Sequence, residues 1–246
     1  MTVPDFSPLA REYARSRPTY PPALFDELAS RLERRRLAWD CATGNGQAAV
    51  GLTRHFERVI ATDISAEQIR YAAPHPRIEY RVATAEQSGL EDGSVDLLTV
   101  AAAVHWFDPQ RFEAEVRRVV RPGGVLAAWT YHVGRVEPPF DGVFARFYRD
   151  VLAPYFAAGA RRVDDLYETL SLPGEPLDTA PFVMSADWDL DRMRGFIASW
   201  SATRRYLEVH GEDPVARIAP ELELLWGPRE TVRTVRWPLF LRVSQL

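Results

Sequence analysis

The sequence predicts an α/β fold: a doubly wound, mostly parallel sheet of seven strands, with helices on both faces and a helical insertion after the fifth strand. Three observations carry this expectation. Short apolar runs alternate with helix-period segments up to Tyr131, a glycine-bearing turn joins the first run to a helix, and the tail alternates with period two.

Pro21 and Pro22 suit the first turn of a helix, and Leu24, Leu28 and Leu32 recur every four positions as one apolar stripe. Arg34, Arg35 and Arg36 close that helix, where cations complement the dipole and reach water. Residues 37–42 read as a buried strand, followed by the turn Thr43-Gly44-Asn45-Gly46 and a helix over 47–56. Residues 59–62 form the second strand with Asp63 at its end, and Ser65 with Gln68 makes a capping box for the next helix. Strands follow at 78–82 and 95–100. Asp108-Pro109 opens a helix whose Phe112, Val116 and Val119 face inward, and Pro122-Gly123-Gly124 stops it before a fifth strand at 125–129. This βαβα order implies parallel strands joined by right-handed crossovers.

After Tyr131 the rhythm changes. Phe140, Phe144, Phe147, Tyr148, Tyr155 and Phe156 crowd an insertion that reads either as a lid or pocket wall, or as aromatic packing onto the domain. A strand at 182–188, helices over 189–206 and 213–226, and an alternating strand over 235–243 complete the chain. Pro238 conflicts with an interior strand unless a bulge accommodates its missing donor.

The 246 residues are 46% hydrophobic, enough for one domain over 1–246. Its parts are an N-terminal cap (1–36), a ligand-binding core (37–131), substrate-side segments (132–180 and 189–228) and the last strands (181–188 and 231–243). The net charge of −4 repels a phosphate backbone, so nucleic acid is not an expected partner. All 30 basic residues are arginine, which excludes a lysine Schiff base or lysine general base. Cys41 is the only cysteine and sits in an apolar strand, as an inert thiol of a reducing, cytoplasmic environment does. The N-terminus lacks the apolar run of a signal peptide, and the longest apolar stretch, 97–104, is too short to span a bilayer. Nothing in the pattern specifies an oligomeric state.

In such a sheet ligands bind beyond the carboxyl ends of the strands, where the strand order reverses. Gly44 and Gly46 let a ligand approach the backbone, and the carboxylate of Asp63 is placed to accept both hydroxyls of a ribose. Gly44-Asn45-Gly46-Gln47-Ala48-Ala49 also satisfies the GxGxxA dinucleotide fingerprint, so a nicotinamide-dependent oxidoreductase stands as an alternative from the loop alone.

Asp40-Cys41-Ala42-Thr43-Gly44-Asn45-Gly46 resembles the first motif of class I S-adenosylmethionine-dependent methyltransferases, usually Asp-x-Gly-x-Gly-x-Gly, with Ala42 at the first glycine. The resemblance continues through Asp63, Ala85-Glu86, Ala101 and Arg121-Pro122-Gly123-Gly124. Ala38-Trp39-Asp40, Ala61-Thr62-Asp63-Ile64-Ser65, Pro74-His75-Pro76-Arg77-Ile78, Ala103-Val104-His105-Trp106-Phe107-Asp108 and Ser199-Trp200-Ser201-Ala202 are similar to methyltransferases of the plant embryo-abundant-protein type. Trans-aconitate methyltransferases are more distantly similar. Tyr13-Ala14-Arg15-Ser16-Arg17-Pro18 with Tyr20 resembles the N-terminal cap of both groups, and through it Tyr13, Arg17 and Tyr20 join the cofactor-binding set.

The resemblance implies S-adenosylmethionine as cofactor and an antiparallel last strand. Gly44, Asn45, Gly46 and Gln47 would cradle the methionine portion, Asp63 would hold the ribose, Ile64 and Gln68 would flank the adenine, Ala85 and Glu86 would meet the base edge, and Asp40, Ala42, Thr43 and Ala101 would complete the cofactor-binding set. The acceptor is expected to be a small molecule beside His105, Trp106, Tyr131, Trp200, Arg204 and Arg205, beneath a lid near 135–170. His105 is a candidate general base for a hydroxyl acceptor and equally a candidate structural histidine, whereas an arginine fork at 204–205 would clamp a carboxylate that needs no base. The other histidines show no metal-ligand spacing, so no metal is expected. A third reading, a cofactor-binding protein without turnover, has Ala42 as its support.

Overall fold

The computed structural model describes residues 18–131, 133–156, 167 and 170–246. Its elements are α1 (Pro22–Ser30), β1 (Leu37–Cys41), α2 (Gln47–Leu52), β2 (Arg58–Asp63), α3 (Ala66–Arg70), β3 (Ile78–Val82), β4 (Val95–Ala101), α4 (Pro109–Val119), β5 (Val120–Tyr131), α5 (Pro138–Arg146), β6 (Glu175–Leu177), β7 (Phe182–Trp188), α6 (Leu190–Ala198), α7 (Ser201–His210), α8 (Pro214–Trp226) and β8 (Arg233–Gln245). Four of the helices start at a side chain that caps them. Ser65 accepts from the Gln68 amide, Asp108 from those of Gln110 and Arg111, Asp189 from that of Arg192, and Asp213 from that of Val215.

The strand order is β3-β2-β1-β4-β5-β8, with β6 and β7 both pairing to the far edge of β8. Strands β1 to β5 are parallel to their neighbours and β8 runs antiparallel to β5. The chain moves outward from β1 to β3 and then returns to the other side of β1 with β4. The crevice of the topological switch therefore opens at the carboxyl ends of β1 and β4. One face of the sheet packs against α1, α2 and the helical layer α5 to α8, the other against α4. On α4, burial of Phe112, Val116 and Val119 contributes about 1.5–3 kcal/mol each.

Several details differ from the sequence expectation. α1 ends at Ser30 with Arg31 as its cap, so Arg34, Arg35 and Arg36 lie beyond the helix and do not close it. The three-residue β6 makes the sheet eight-stranded. β5 begins at Val120 and runs through Pro122-Gly123-Gly124, because the chain end braces it: the Gly123 amide donates to the Leu246 carbonyl at 2.6 Å and the Leu246 amide to that of Gly124 at 3.0 Å. The helix expected to 56 ends at Leu52, with Thr53 as its cap. The helix expected over 189–206 is two, α6 and α7, broken where Trp200 is extended (φ −73°, ψ 142°). There the Ser199 hydroxyl donates to the Phe196 carbonyl at 2.6 Å and the Thr203 hydroxyl to that of Ile197 at 2.8 Å, taking acceptors from the backbone ladder. Pro238 is accommodated as a bulge requires: Arg135 is four positions beyond Tyr131 where their partners Leu239 and Arg236 are three positions apart, and Pro238 lies within that interval.

Candidate active site

The cofactor loop is held from below. Asp40, fully buried at the end of β1, accepts the Thr43 hydroxyl at 2.5 Å and the Thr99 hydroxyl at 2.7 Å. Burial pushes its carboxyl up to about 6, against the lowering effect of those hydroxyls. Thr43 and Thr99 thereby connect the loop to β4. The next residues bend sharply, with Ala42 at φ 55°, Gly44 at φ 57° and Gly46 at φ 90°. A Cβ on Gly44 would meet only the Gln68 side chain, at 4.0 Å, so this glycine opens toward a ligand. A Cβ on Gly46 would run into the Tyr80 hydroxyl, so that glycine serves packing between α2 and β3.

Asp63, at the end of β2, accepts the Gly44 amide at 2.8 Å on one oxygen and the Ser65 amide at 2.8 Å on the other. The Ile64 amide also bonds this carboxylate, which leaves one of its roughly four lone-pair sites for a ribose hydroxyl. Burial raises its carboxyl above the ordinary value, with the amide bonds opposing. Glu86 accepts the Asp108 amide at 3.0 Å, fixing the start of α4 beside the same cleft. Burial, then the charge of Asp40, holds the Cys41 thiol well above its usual range, so it is inert.

A cavity of about 640 Å³ opens over these groups. At one end it is lined by Asp63, Ile64, Gln68, Ala85 and Glu86, along its floor by Ala42, Thr43, Gly44, Asn45, Gln47 and Ala101, and at the other end by Tyr20, Trp106 and Tyr131. Tyr20 is set by an edge contact with the buried Trp129 ring, at 5.3 Å between centroids.

Several expected site residues lie elsewhere. Asp40 is beneath the loop and Gly46 faces Tyr80. His105 is buried on the far side of the turn Val104–Trp106, with Nδ1 at 3.0 Å from the Tyr167 hydroxyl, and it does not line this cavity. Trp200 is 8% exposed, surrounded by Phe144, Tyr148, Phe156 and Phe196, so the insertion aromatics bind the helical layer together. Neither Arg204 nor Arg205 lines the cavity. Tyr13 and Arg17 lie outside the described residues. Sequence reasoning missed Thr43 and Thr99 as the partners of Asp40, and Ala102, which lies in the left-handed region (φ 53°) on the cavity wall. Only the strand pairing of Asp40 with Thr99 brings that pair together.

A methyltransferase domain family matches residues 39–128. The chain is 31% identical over 221 residues to a Dictyostelium discoideum protein provisionally named a methyltransferase, covering 88% of this chain and 84% of that one. This chain belongs to the class I S-adenosylmethionine-dependent methyltransferases. A solved structure of an Anaeromyxobacter dehalogenans protein, provisionally named a type II methyltransferase, is 43% identical with a TM-score of 0.86 and covers 93% of this chain and 97% of that one. A Saccharomyces cerevisiae protein whose name gives it as a probable S-adenosylmethionine-dependent methyltransferase is 24% identical over 229 residues, 77% of each chain.

The protein is thus an enzyme of this class, with S-adenosylmethionine as cofactor, and the nicotinamide reading of the loop falls away. The cavity fits that cofactor: an open glycine turn, a carboxylate with a free lone pair at the neighbouring strand end, and an apolar Ile64, 59% exposed at the rim, available to cover a base. No helix among the described residues is long and apolar enough to cross a membrane.

Proposed function

We propose that this methyltransferase transfers its methyl group to an oxygen of a small-molecule acceptor, a hydroxyl or a carboxylate, seated at the Tyr20, Trp106 and Tyr131 end of the cavity. The observation that carries this reading is the continuation of the cavity past the cofactor loop into that aromatic end. The sulfonium of the cofactor supplies an already activated methyl, so the residues' task is to align the acceptor and exclude water. Tyr20 and Tyr131 offer hydroxyls that can orient an oxygen acceptor, and Trp106 supplies an apolar wall. Residues 43–47 and Asp63 hold the other end.

Because His105 and Arg204–Arg205 lie off the cavity lining, neither a histidine base nor an arginine clamp is part of this reading. The net charge of −4 supports a small acceptor over nucleic acid, and the single buried cysteine supports a reducing, cytoplasmic setting. The test follows labelled methyl transfer to a panel of small hydroxy compounds and carboxylic acids. Tyr131→Phe and Trp106→Ala are expected to lower kcat/KM at least tenfold, with His105→Ala, Arg204→Ala and Arg205→Ala within about threefold of the parent. A 100-fold loss in His105→Ala alone restores the general-base role, and a raised acceptor KM in the arginine variants restores the clamp.

A further inference from the structure

We propose that this enzyme carries a second ligand site: the cavity behind the Val104–Trp106 turn binds an uncharged, mainly apolar small molecule, and its occupancy alters cofactor binding through that turn. The cavity measures about 600 Å³, within the range of small-molecule pockets. Val104, Phe107, Phe112, Leu170 and Leu172 supply its apolar wall, and His105, Gln110, Tyr167 and Ser171 its uncharged polar groups. Its charged side chains, Glu113 and Arg117, pair with each other at 2.8 Å and are each about half exposed (49% and 57%), so no buried charge awaits a counter-ion.

Backbone strain marks this wall as built. Among the described residues three non-glycine positions have positive φ: Ala42, Ala102 and Tyr167. The first two line the cofactor cavity, and Tyr167, at φ 61°, lines the second. A bulky side chain keeps such a conformation only where its surroundings impose it. Here its described partners hold the ring, the hydroxyl and the carbonyl. The ring is 2% exposed, the hydroxyl lies at 3.0 Å from His105 Nδ1 and also meets the Thr130 side chain, and the carbonyl accepts Arg242 Nε at 3.0 Å.

The two cavities are separated by a single tight turn. Ala103 and Trp106 face the cofactor, Val104 and His105 face the second cavity, and Phe107 lines both. The Trp106 amide donates to the Ala103 carbonyl at 2.9 Å and the Phe107 amide to that of Val104 at 3.2 Å, so the five residues move as one unit. A ligand against Val104 and Phe107 therefore bears on Ala103 and Trp106.

The probe is 1-naphthol, titrated by fluorescence into the full chain with and without saturating S-adenosylhomocysteine, and 1-naphthoate is the charged comparator. One naphthol per chain is expected in the presence of S-adenosylhomocysteine, bound at least tenfold more tightly than naphthoate. Leu172→Trp should weaken naphthol at least tenfold while leaving S-adenosylhomocysteine affinity, measured alone, within twofold. Leu170→Phe, a smaller intrusion, serves if the first variant fails to fold. Naphthol and S-adenosylhomocysteine should change each other's affinity by the same factor, threefold or more. Full displacement of naphthol by S-adenosylhomocysteine, indifference to both variants, tighter naphthoate, or mutually unchanged affinities each overturn the proposal. So does conversion of naphthol to its methyl ether, which would make this cavity part of the acceptor site.

Discussion

Asp40 shows how one residue's environment changes its role. An acid at the end of the first strand suggests ligand contact, yet this one is buried and spends its hydrogen bonds on Thr43 and Thr99. Its folded pKa of about 6 stands above the unfolded value near 3.8. Between those two pH values the folded state keeps a proton that the unfolded state releases, so stability falls as pH rises from about 4 to 6. The full loss, about 3 kcal/mol, is present above pH 6. Asp40→Asn should remove that fall, visible as a smaller difference in denaturant-derived stability between pH 4.5 and 7 than in the parent; an unchanged difference rejects the assignment. Asp63 differs because it lines the cavity and keeps a lone pair open. Calorimetry with S-adenosylhomocysteine should find Asp63→Ala weaker by about 1.5–3 kcal/mol, and an equal affinity would remove Asp63 from the ribose contact.

Among the elements, the amino-terminal ends of β1, β4 and β5 are stitched by one carboxylate. Asp96, with no exposed side-chain surface, accepts Arg34 Nε and Arg121 Nε at 2.6 Å each, and the Arg36 and Leu37 amides at 2.8 and 3.0 Å. These bonds lower its pKa despite burial. The arginine run that reads as a solvated helix end thus includes an anchor, and Arg121-Pro122-Gly123-Gly124 gains a second purpose in bringing Arg121 to Asp96. Asp96→Ala leaves both arginines and two amides without their acceptor, for an expected cost of about 3–5 kcal/mol. Chemical denaturation checks this, and a loss below 1 kcal/mol would show the stitch to be dispensable. The break between α6 and α7 is a comparable case: periodicity runs through Trp200, but local hydroxyl-to-carbonyl bonds end the helix there and turn the ring into the aromatic cluster.

For the molecule as a whole, the cofactor cavity lies at the switch point between β1 and β4, so a bound cofactor stabilises the folded sheet by mass action. At 100 times its dissociation constant S-adenosylhomocysteine adds about 2.7 kcal/mol, a Tm rise of roughly 5–11 °C for a chain of this size. NADH at the same concentration should leave Tm unchanged. An equal shift with both would mean the loop does not discriminate, and none with S-adenosylhomocysteine would place the cofactor site elsewhere.

The sequence alone determined the alternation of strands and helices, the glycine loop and the acid at the end of β2, because period, turn chemistry and motif spacing are local properties of the chain, while the antiparallel last strand and the cofactor class came through its resemblance to class I methyltransferases. It also exposed the conflict at Pro238, which a bulge resolves. Only the tertiary structure decided which way side chains point and what they meet across the sheet. His105 turns to Tyr167, 62 positions away, and leaves the cofactor side to Trp106. Arg204 and Arg205 lie on α7, one turn beyond Trp200, and neither lines the cavity. Asp40 finds Thr99, 59 positions away, only because β1 pairs with β4. Such contacts follow from strand order and from the direction of each Cβ in the assembled sheet, and neither quantity is written in the spacing of residues along the chain.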